Sequence, residues 1–127
     1  MGKRLVSDAK RERGGAAHRS GHVAEVWGAL WLMAHGWRIL GINVDTPAGE
    51  VDILARRGGV LAVVEVKRRA ALETALEAVT AAQRGRLLRA GALLARGPGR
   101  EGLAVRLDLL ALAPGRWPRH IADAWPQ

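Results

Sequence analysis

The chain has 127 residues, 49% of them hydrophobic, and its 20 basic residues outnumber its 12 acidic residues to give a net charge of +8. This length and apolar content predict one globular domain with its own core. The absence of cysteine excludes disulfides and Cys-containing zinc sites. The positive charge favours a polyanionic partner such as nucleic acid, and a compositional bias towards arginine is the alternative explanation.

No segment has the length or composition of a membrane anchor. The longest charge-poor stretch, residues 26–34, is much shorter than the ~20 residues that cross a bilayer. The N-terminus lacks the apolar run of a secretory signal. We therefore expect no membrane partner and a cytoplasmic location.

In chain order, residues 1–20 come first and carry six basic and two acidic residues with few large apolar ones. They are predicted to be a basic, flexible arm, which either contacts phosphates or is a solvated tail. The domain then spans residues 21–127. It begins with a helix over residues 21–35, which is apolar on every side and is therefore expected to be buried on nearly all sides.

Three strands and a second helix are predicted next. Residues 37–44 alternate as a strand, and two β-type runs, residues 50–56 and 60–68, flank Arg57-Gly58-Gly59 as a hairpin. Helical periodicity returns over residues 72–95, and residues 103–112 alternate again as the last strand. The tail to residue 127 is expected to be irregular and packed by Trp117 and Trp125. The order helix, three strands, helix, strand predicts an α/β domain with a mixed sheet.

The hairpin brings acidic side chains together. With a two-residue turn at Gly58-Gly59, Asp52 lies opposite Glu65, and Lys67 shares the face of Glu65. Opposed carboxylates destabilise a sheet, and Mg²⁺ or Mn²⁺ would relieve their repulsion. A hairpin in which Lys67 simply offsets Glu65 and Glu50 is the structural alternative.

Two polar residues of the predicted helices extend this candidate site. Glu25 is the only charged residue of the first helix. Because a buried unpaired carboxylate is costly, we expect Glu25 to point at a metal ion or an arginine. Gln83 lies on the apolar stripe of the second helix and is expected to face the same site.

These residues lie in segments that resemble a known family from about Gly21 to the C-terminus. The segments are GHVAEVWGALWLMAHGWRIL with Glu25, then Asn43, GEVDIL with Asp52, VVEVKRR with Glu65 and Lys67, and RLDLLAL. They resemble the YraN family of small bacterial proteins, which is related to restriction endonucleases and Holliday junction resolvases. The resemblance implies a restriction-endonuclease-like domain whose Asp and Glu-x-Lys residues form a metal site supported by the helix Glu. Two departures are Gln83, where a Lys is expected, and Val44-Asp45, where a basic residue is more usual.

We therefore predict a Mg²⁺-dependent nuclease that hydrolyses phosphodiester bonds of DNA, with branched DNA among its candidate substrates. The alternatives are a nucleic-acid-binding protein on a nuclease scaffold and a basic protein with non-specific contacts. Cutting a junction symmetrically would favour a homodimer. The predicted catalytic residues are Asp52, Glu65, Lys67, Glu25 and Gln83, the metal ligands Glu25, Asp52 and Glu65, and the nucleic-acid contacts Arg68, Arg69, Arg84, Arg86 and Arg89.

Overall fold

The computed structural model of the protein describes residues 22–126; the predicted arm over residues 1–20 lies outside this range. Helix α1 covers residues 22–34 of the described part. The elements that follow are β1 (Arg38–Thr46), β2 (Gly49–Arg57), β3 (Val60–Arg68), α2 (Leu72–Glu77), α3 (Ala81–Leu94), β4 (Ala104–Leu112) and β5 (Arg119–Ile121). Within residues 22–126, no helix is both long and apolar enough to span a membrane.

The five strands form one sheet in the order β1-β2-β3-β4-β5. Strands β3 and β4 are parallel, and the other neighbours are antiparallel. A parallel pair needs a crossover connection, and α2 and α3 supply it here. The predicted α/β domain with a mixed sheet is confirmed.

The sheet separates two layers of core. On one face, α1 packs through Ala29 and Leu32 in a cluster with Ile53 and Val64. On the other face, α3 packs through Leu87 in a cluster that contains Leu54, Leu61 and Val63 of the hairpin. The strands β2 and β3 therefore have helices on both sides, which explains the continuous apolar runs over residues 53–55 and 60–64.

The second helix and the tail differ from the prediction. Residues 72–95 form two helices, because Thr80 and Gln83 make a capping box that starts α3 anew. The tail contains the short strand β5, and Trp125 packs as expected, with its Nε1 donating to the Leu76 carbonyl at 3.1 Å. Trp117 is 75% exposed, so the prediction that it packs onto the domain is wrong.

Helix α1 is not buried on nearly all sides, and that prediction is also wrong. Its inner side contacts the sheet through Ala24, Ala29 and Leu32. Its outer side is exposed, at fractions between 38% and 65% for Val23, Val26, Trp27, Leu30 and Met33. A single sheet provides only one surface to pack against, so the opposite side of the helix faces solvent.

Candidate active site

Strands β2 and β3 are paired along only part of their length. The register runs from Arg57↔Val60 to Ile53↔Val64, as the two-residue turn predicts. Beyond Ile53 and Val64, β2 continues beside β1 and β3 continues beside β4. The sheet therefore opens into a fork, and Asp52 and Glu65 are the first residues inside it.

The Asp52 carboxylate lies in the opening of this fork. Its Oδ2 accepts a hydrogen bond from the backbone N–H of Val66 at 2.9 Å. A side chain thus replaces the main-chain acceptor that a continued ladder would supply. This hydrogen bond holds the carboxylate of β2 against the backbone of β3.

The strands reverse the faces of their side chains at this level. Ile42 and Ile53 pack with the α1 cluster, whereas Val44 and Val51, each two residues away, pack with the α3 cluster. Residues two apart in a regular strand share a face. The reversal therefore occurs at the intervening residues, and in β1 this is Asn43, whose φ is +53°. Asp52 occupies the same position in β2, so it lies between the two faces of the sheet.

Glu25 reaches this opening from α1. Burial, together with the nearby negative charges of Asp52 and Glu50, raises the pKa of Glu25 to about 8, and a hydrogen bond with Asn43 opposes the shift. Its Oε2 is buried and has no hydrogen-bond partner among residues 22–126. A buried carboxylate oxygen without a partner is costly, so this atom is available to a cation or a proton.

Glu65 enters the fork from β3. It is 8% exposed, and burial together with the charge of Asp52 raises its pKa to about 7. Lys67 lies on the same side of the strand, with its Nζ 3.4 Å from Glu65 Oε2, and opposes the shift. One lysine thus compensates part of the charge of three neighbouring carboxylates.

The donor atoms suit a hard divalent cation. Asp52 lies close enough to both Glu25 and Glu65 to raise their pKa values, so the three carboxylates form one group around Asp52. Among residues 22–126, no three His, Cys, Asp or Glu side chains are arranged around one point as metal ligands. Mg²⁺ commonly takes only one or two carboxylates and completes its shell with water and substrate oxygens. A pair of these carboxylates, with the unpartnered oxygen of Glu25 as one of the donors, fits such an ion.

The structure places Gln83 differently from the expectation that it faces the site. Within the described residues its hydrogen bonds are with Thr80: Oε1 accepts from the Thr80 backbone N–H at 2.9 Å, and its own N–H donates to Thr80 Oγ1 at 3.2 Å. A helix-capping role accounts for this polar residue at the start of α3.

The arginines predicted to contact nucleic acid lie in two places: three are on α3, and two are at the end of β3. Arg84 donates to the Val79 carbonyl, and Arg86 donates to the Glu50 carbonyl at 3.1 Å, which places Arg86 beside the acidic site. Arg89 is exposed on α3. Arg68 and Arg69 are exposed at the end of β3, immediately after Lys67.

Sequence reasoning missed a row of residues that crosses the sheet. Lys67 pairs with Ala111 of β4, and Ala111 pairs with Arg119 of β5. Strands are ~4.8 Å apart, so the backbone of Arg119 lies ~10 Å from that of Lys67. Arg119 lines one groove with Arg69 and Arg116. Only the register of β5, a strand too short to predict, reveals this basic groove beside the site.

The presence of a lysine rather than an arginine at position 67 is a second feature that sequence reasoning did not use. Lys67 is the only lysine between residues 22 and 126, in a chain whose other described cations are arginines. A lysine ammonium is a compact charge on a flexible stem, whereas a guanidinium is planar and always protonated. An arginine at this position would therefore keep the charge beside Glu65 but change the shape and hydrogen-bonding geometry of the cation.

The fold is that of a small α/β nuclease-like domain with an acidic site at a fork in its sheet. The sequence model of the Uncharacterised protein family UPF0102 matches residues 24–112, a range that includes Glu25, Asp52, Glu65 and Lys67. The chain belongs to this family, and the resemblance to YraN proteins is thereby confirmed.

Similar proteins cover nearly the whole chain. A UPF0102 protein of Caulobacter sp. (strain K31) is 63% identical over 118 residues, which are 92% of this chain and 85% of the relative. A UPF0102 protein of Caulobacter vibrioides (strain NA1000 / CB15N) is 56% identical over 122 residues, 95% of this chain and 98% of the relative. The UPF0102 protein amb4503 of Paramagnetospirillum magneticum is 50% identical over 115 residues, 87% and 89% of the two chains.

Proposed function

We propose that this protein is a metal-dependent nuclease that hydrolyses phosphodiester bonds of DNA in the cytoplasm. The observation that carries the proposal is the meeting of Glu25, Asp52 and Glu65 in the fork, with a buried oxygen of Glu25 that lacks a partner. If these acids belonged only to a structural ion pair, each of their buried oxygens would have a hydrogen-bonding or charged partner. Shifted pKa values of a carboxylate group with a lysine beside it are typical of a catalytic site.

Each residue has a distinct part in this proposal. Asp52 and Glu65, with Glu25, would hold Mg²⁺ or Mn²⁺, which supplies Lewis-acid activation of water and of the phosphoryl group when bound. Asp52 is fixed by its hydrogen bond to Val66, so it needs little reorganisation. Lys67, held 3.4 Å from Glu65, would orient the attacking water and stabilise charge that develops on the phosphate.

The DNA strand would approach across the ends of β3, β4 and β5. Arg69, Arg116 and Arg119 line one groove there, and Arg119 lies on the same row of the sheet as Lys67. Phosphate contacts position a strand without reading its sequence. We therefore propose this groove, rather than α3 alone, as the path of the backbone that leads to the acidic site.

The proposal is tested by incubating the purified chain with single-stranded, linear duplex and four-way-junction DNA in Mg²⁺, Mn²⁺ or EDTA. We expect cleavage of at least one substrate that depends on the metal ion and is lost in Asp52→Asn. Tight binding without cleavage under every condition would instead establish the non-catalytic nucleic-acid-binding protein.

Lys67→Arg distinguishes a catalytic lysine from a merely compensating one. Arginine keeps the positive charge beside Glu65 but has a different shape and cannot release its proton. We expect cleavage to fall by about 10²-fold or more, as for loss of a positioned catalytic group, with DNA affinity retained. The matched control is Arg96→Lys, at an exposed position between α3 and β4, which should cleave at nearly the normal rate. Equal activity of Lys67→Arg and the unmodified chain would contradict the assigned role.

A further inference from the structure

The outer side of α1 forms a continuous apolar surface. Its residues recur at intervals of three and four, which places them on one side of a helix. Trp117, 75% exposed, lines one groove with Trp27 and Leu30. We call this surface the α1 face; it consists of Val23, Val26, Trp27, Leu30, Met33 and Trp117, each between 38% and 75% exposed.

We propose that the α1 face is the contact between two copies of this chain. Scaled by their exposed fractions, its six residues present on the order of 600 Å² of surface. This area is at the upper end of the ~300–600 Å² patches found on ordinary monomers. It also approaches the ~800 Å² that each partner contributes to a standard interface. The area is therefore sufficient for a stable dimer once neighbouring residues are added.

The chemistry of the α1 face favours a second copy over other occupants. None of its six residues is charged, although Arg68 and Arg116 border the face in a groove with Val23 and Trp27. Contact with nucleic acid requires cations at the contact itself. The preceding residues 1–21 include only Met1, Leu5 and Val6 as large apolar residues beside six basic ones, too few to cover the surface. An uncharged apolar surface is complementary to itself, which a two-fold symmetric interface requires.

The position of the face relates the dimer to the acidic site without blocking it. Glu25 lies next to Asp52 in the fork, on the inner side of the same helix. Dimerisation would cover the outer side of α1 and leave the fork of each copy accessible from the ends of the strands. The inference does not depend on the nuclease proposal.

Salt dependence gives this interface a specific signature. Each chain carries a net charge of +8, so two copies repel each other at low ionic strength, and added salt screens this repulsion. We expect dimerisation to strengthen as salt increases. Binding mediated by nucleic acid would show the opposite dependence, because phosphate contacts weaken with salt.

The test is sedimentation equilibrium of the full, nucleic-acid-free chain from about 2 to 200 µM, a range chosen because dimer population depends on concentration. We expect a dimer that dissociates on dilution. Leu30→Arg, at the centre of the face, should weaken it by about 100-fold or more, since one central residue often contributes tens-fold and symmetry counts it twice. The matched control is Leu88→Arg on α3, where Leu88 is 39% exposed; it should leave the dimer intact.

Circular dichroism verifies that each variant is folded, and Trp117→Ser provides a second disruption of the face if Leu30→Arg does not fold. Several results would overturn the proposal: a monomer at every concentration, a dimer that persists in both face variants, or dissociation by Leu88→Arg as well. A monomer whose tryptophan emission shifts on addition of anionic phospholipid vesicles would assign the face to a lipid surface instead.

Discussion

Two regions of the same sheet bury carboxylates in opposite ways. Asp108 of β4 is fully buried, and both of its oxygens are paired: Arg106 donates from Nε and Nη2 at 2.8 and 2.9 Å. His120 Nε2 lies 2.7 Å from Oδ2, and the Asp123 backbone N–H donates to Oδ1 at 3.0 Å. In the fork, by contrast, Glu25 has an oxygen without a partner among the described residues.

The pKa values follow from this difference. Burial alone would raise the pKa of Asp108, but hydrogen bonds from His120, Arg106 and Asp123 outweigh it and lower the pKa. In the fork, burial and the charge of Asp52 together raise the pKa of Glu25 to about 8 and of Glu65 to about 7. Burial therefore does not by itself distinguish a structural carboxylate from an available one; the completeness of its partners does.

The largest expected effect is the loss of DNA cleavage when Asp52 in the fork is replaced, and this change should not destabilise the fold. Asp52→Asn keeps an acceptor for Val66 but removes a negative charge from the fork. We expect the cleavage rate to fall by about 10³-fold or more, the equivalent of several kcal/mol of lost transition-state stabilisation. The free energy of unfolding should be unchanged or higher, because a repulsion is removed. Rates on the cleaved DNA substrate and urea unfolding give the two values; a large loss of stability would place Asp52 with Asp108 as a structural acid.

Asp108→Ala should have the opposite effect, a large loss of stability rather than a specific loss of cleavage. It leaves Arg106 and His120 without their shared partner, and removal of one member of a buried ion pair costs about 3 kcal/mol or more. We expect this loss in the free energy of unfolding from denaturant titration. The control is Asp123→Asn: residue 123 donates to Asp108 through its backbone, and Asn tolerates its φ of +48° as Asp does, so stability should change little.

The dependence of stability on pH should reflect both the paired Asp108 and the two acids of the fork, Glu25 and Glu65. The lowered pKa of Asp108 means that its contribution is present above the ordinary value of 3.8 and is lost as the pH falls through the lowered pKa. The raised pKa values of Glu25 and Glu65 have the opposite sign: protonated acids favour the folded state below about 4.5, and this contribution is lost as the pH rises through about 7 and 8.

In EDTA we therefore expect stability to be highest near pH 4 to 4.5 and to fall progressively up to about pH 8, measured as the melting temperature from pH 3 to 9. Glu25→Gln should reduce the decline above the maximum. Mg²⁺ should raise the melting temperature at pH 8.5 more than at pH 5.5, because the ion binds deprotonated carboxylates. Stability that increases steadily from pH 6 to 9 in EDTA would contradict the raised pKa values.

The smallest expected effect concerns the basic groove next to the fork. Arg119→Gln removes one proposed phosphate contact, so DNA affinity should fall by several-fold and the slope of log affinity against log salt should decrease by about one unit. Arg96→Gln is the matched control, since exposed Arg96 follows α3 and lies before the start of β4, away from the strand ends that carry the site. Equal effects of the two variants would show that the basic charge acts non-specifically.

Much of the fold follows from local patterns. The hairpin register was predictable because Gly58-Gly59 allows only a few turn geometries and each fixes which residues pair. The fork was not, because it arises when β1 and β4 compete with the hairpin for the ends of β2 and β3. The break between α2 and α3 depends on one capping box at Thr80 and Gln83, which apolar periodicity does not reveal.

The candidate site was predicted in part for the same reason. Asp52, Glu65 and Lys67 are related by strand periodicity and one turn, and Glu25 is conspicuous as the only charge in an apolar helix. The pairing of Asp108 with His120, twelve residues away, depends on β5, which has only three residues. Likewise, because the sequence of α1 is apolar on every side, its periodicity does not indicate which side the sheet covers.

The sequence by itself determined the family, the order of elements and the two carboxylates that face the end of the hairpin, because these depend on neighbours close along the chain. Tertiary structure alone decided that Glu25 and Glu65 meet at Asp52 without sufficient compensation, whereas Asp108 acquires a complete set of partners. Elements distant in sequence supply those partners, so whether a buried acid is neutralised is fixed only when the chain has folded.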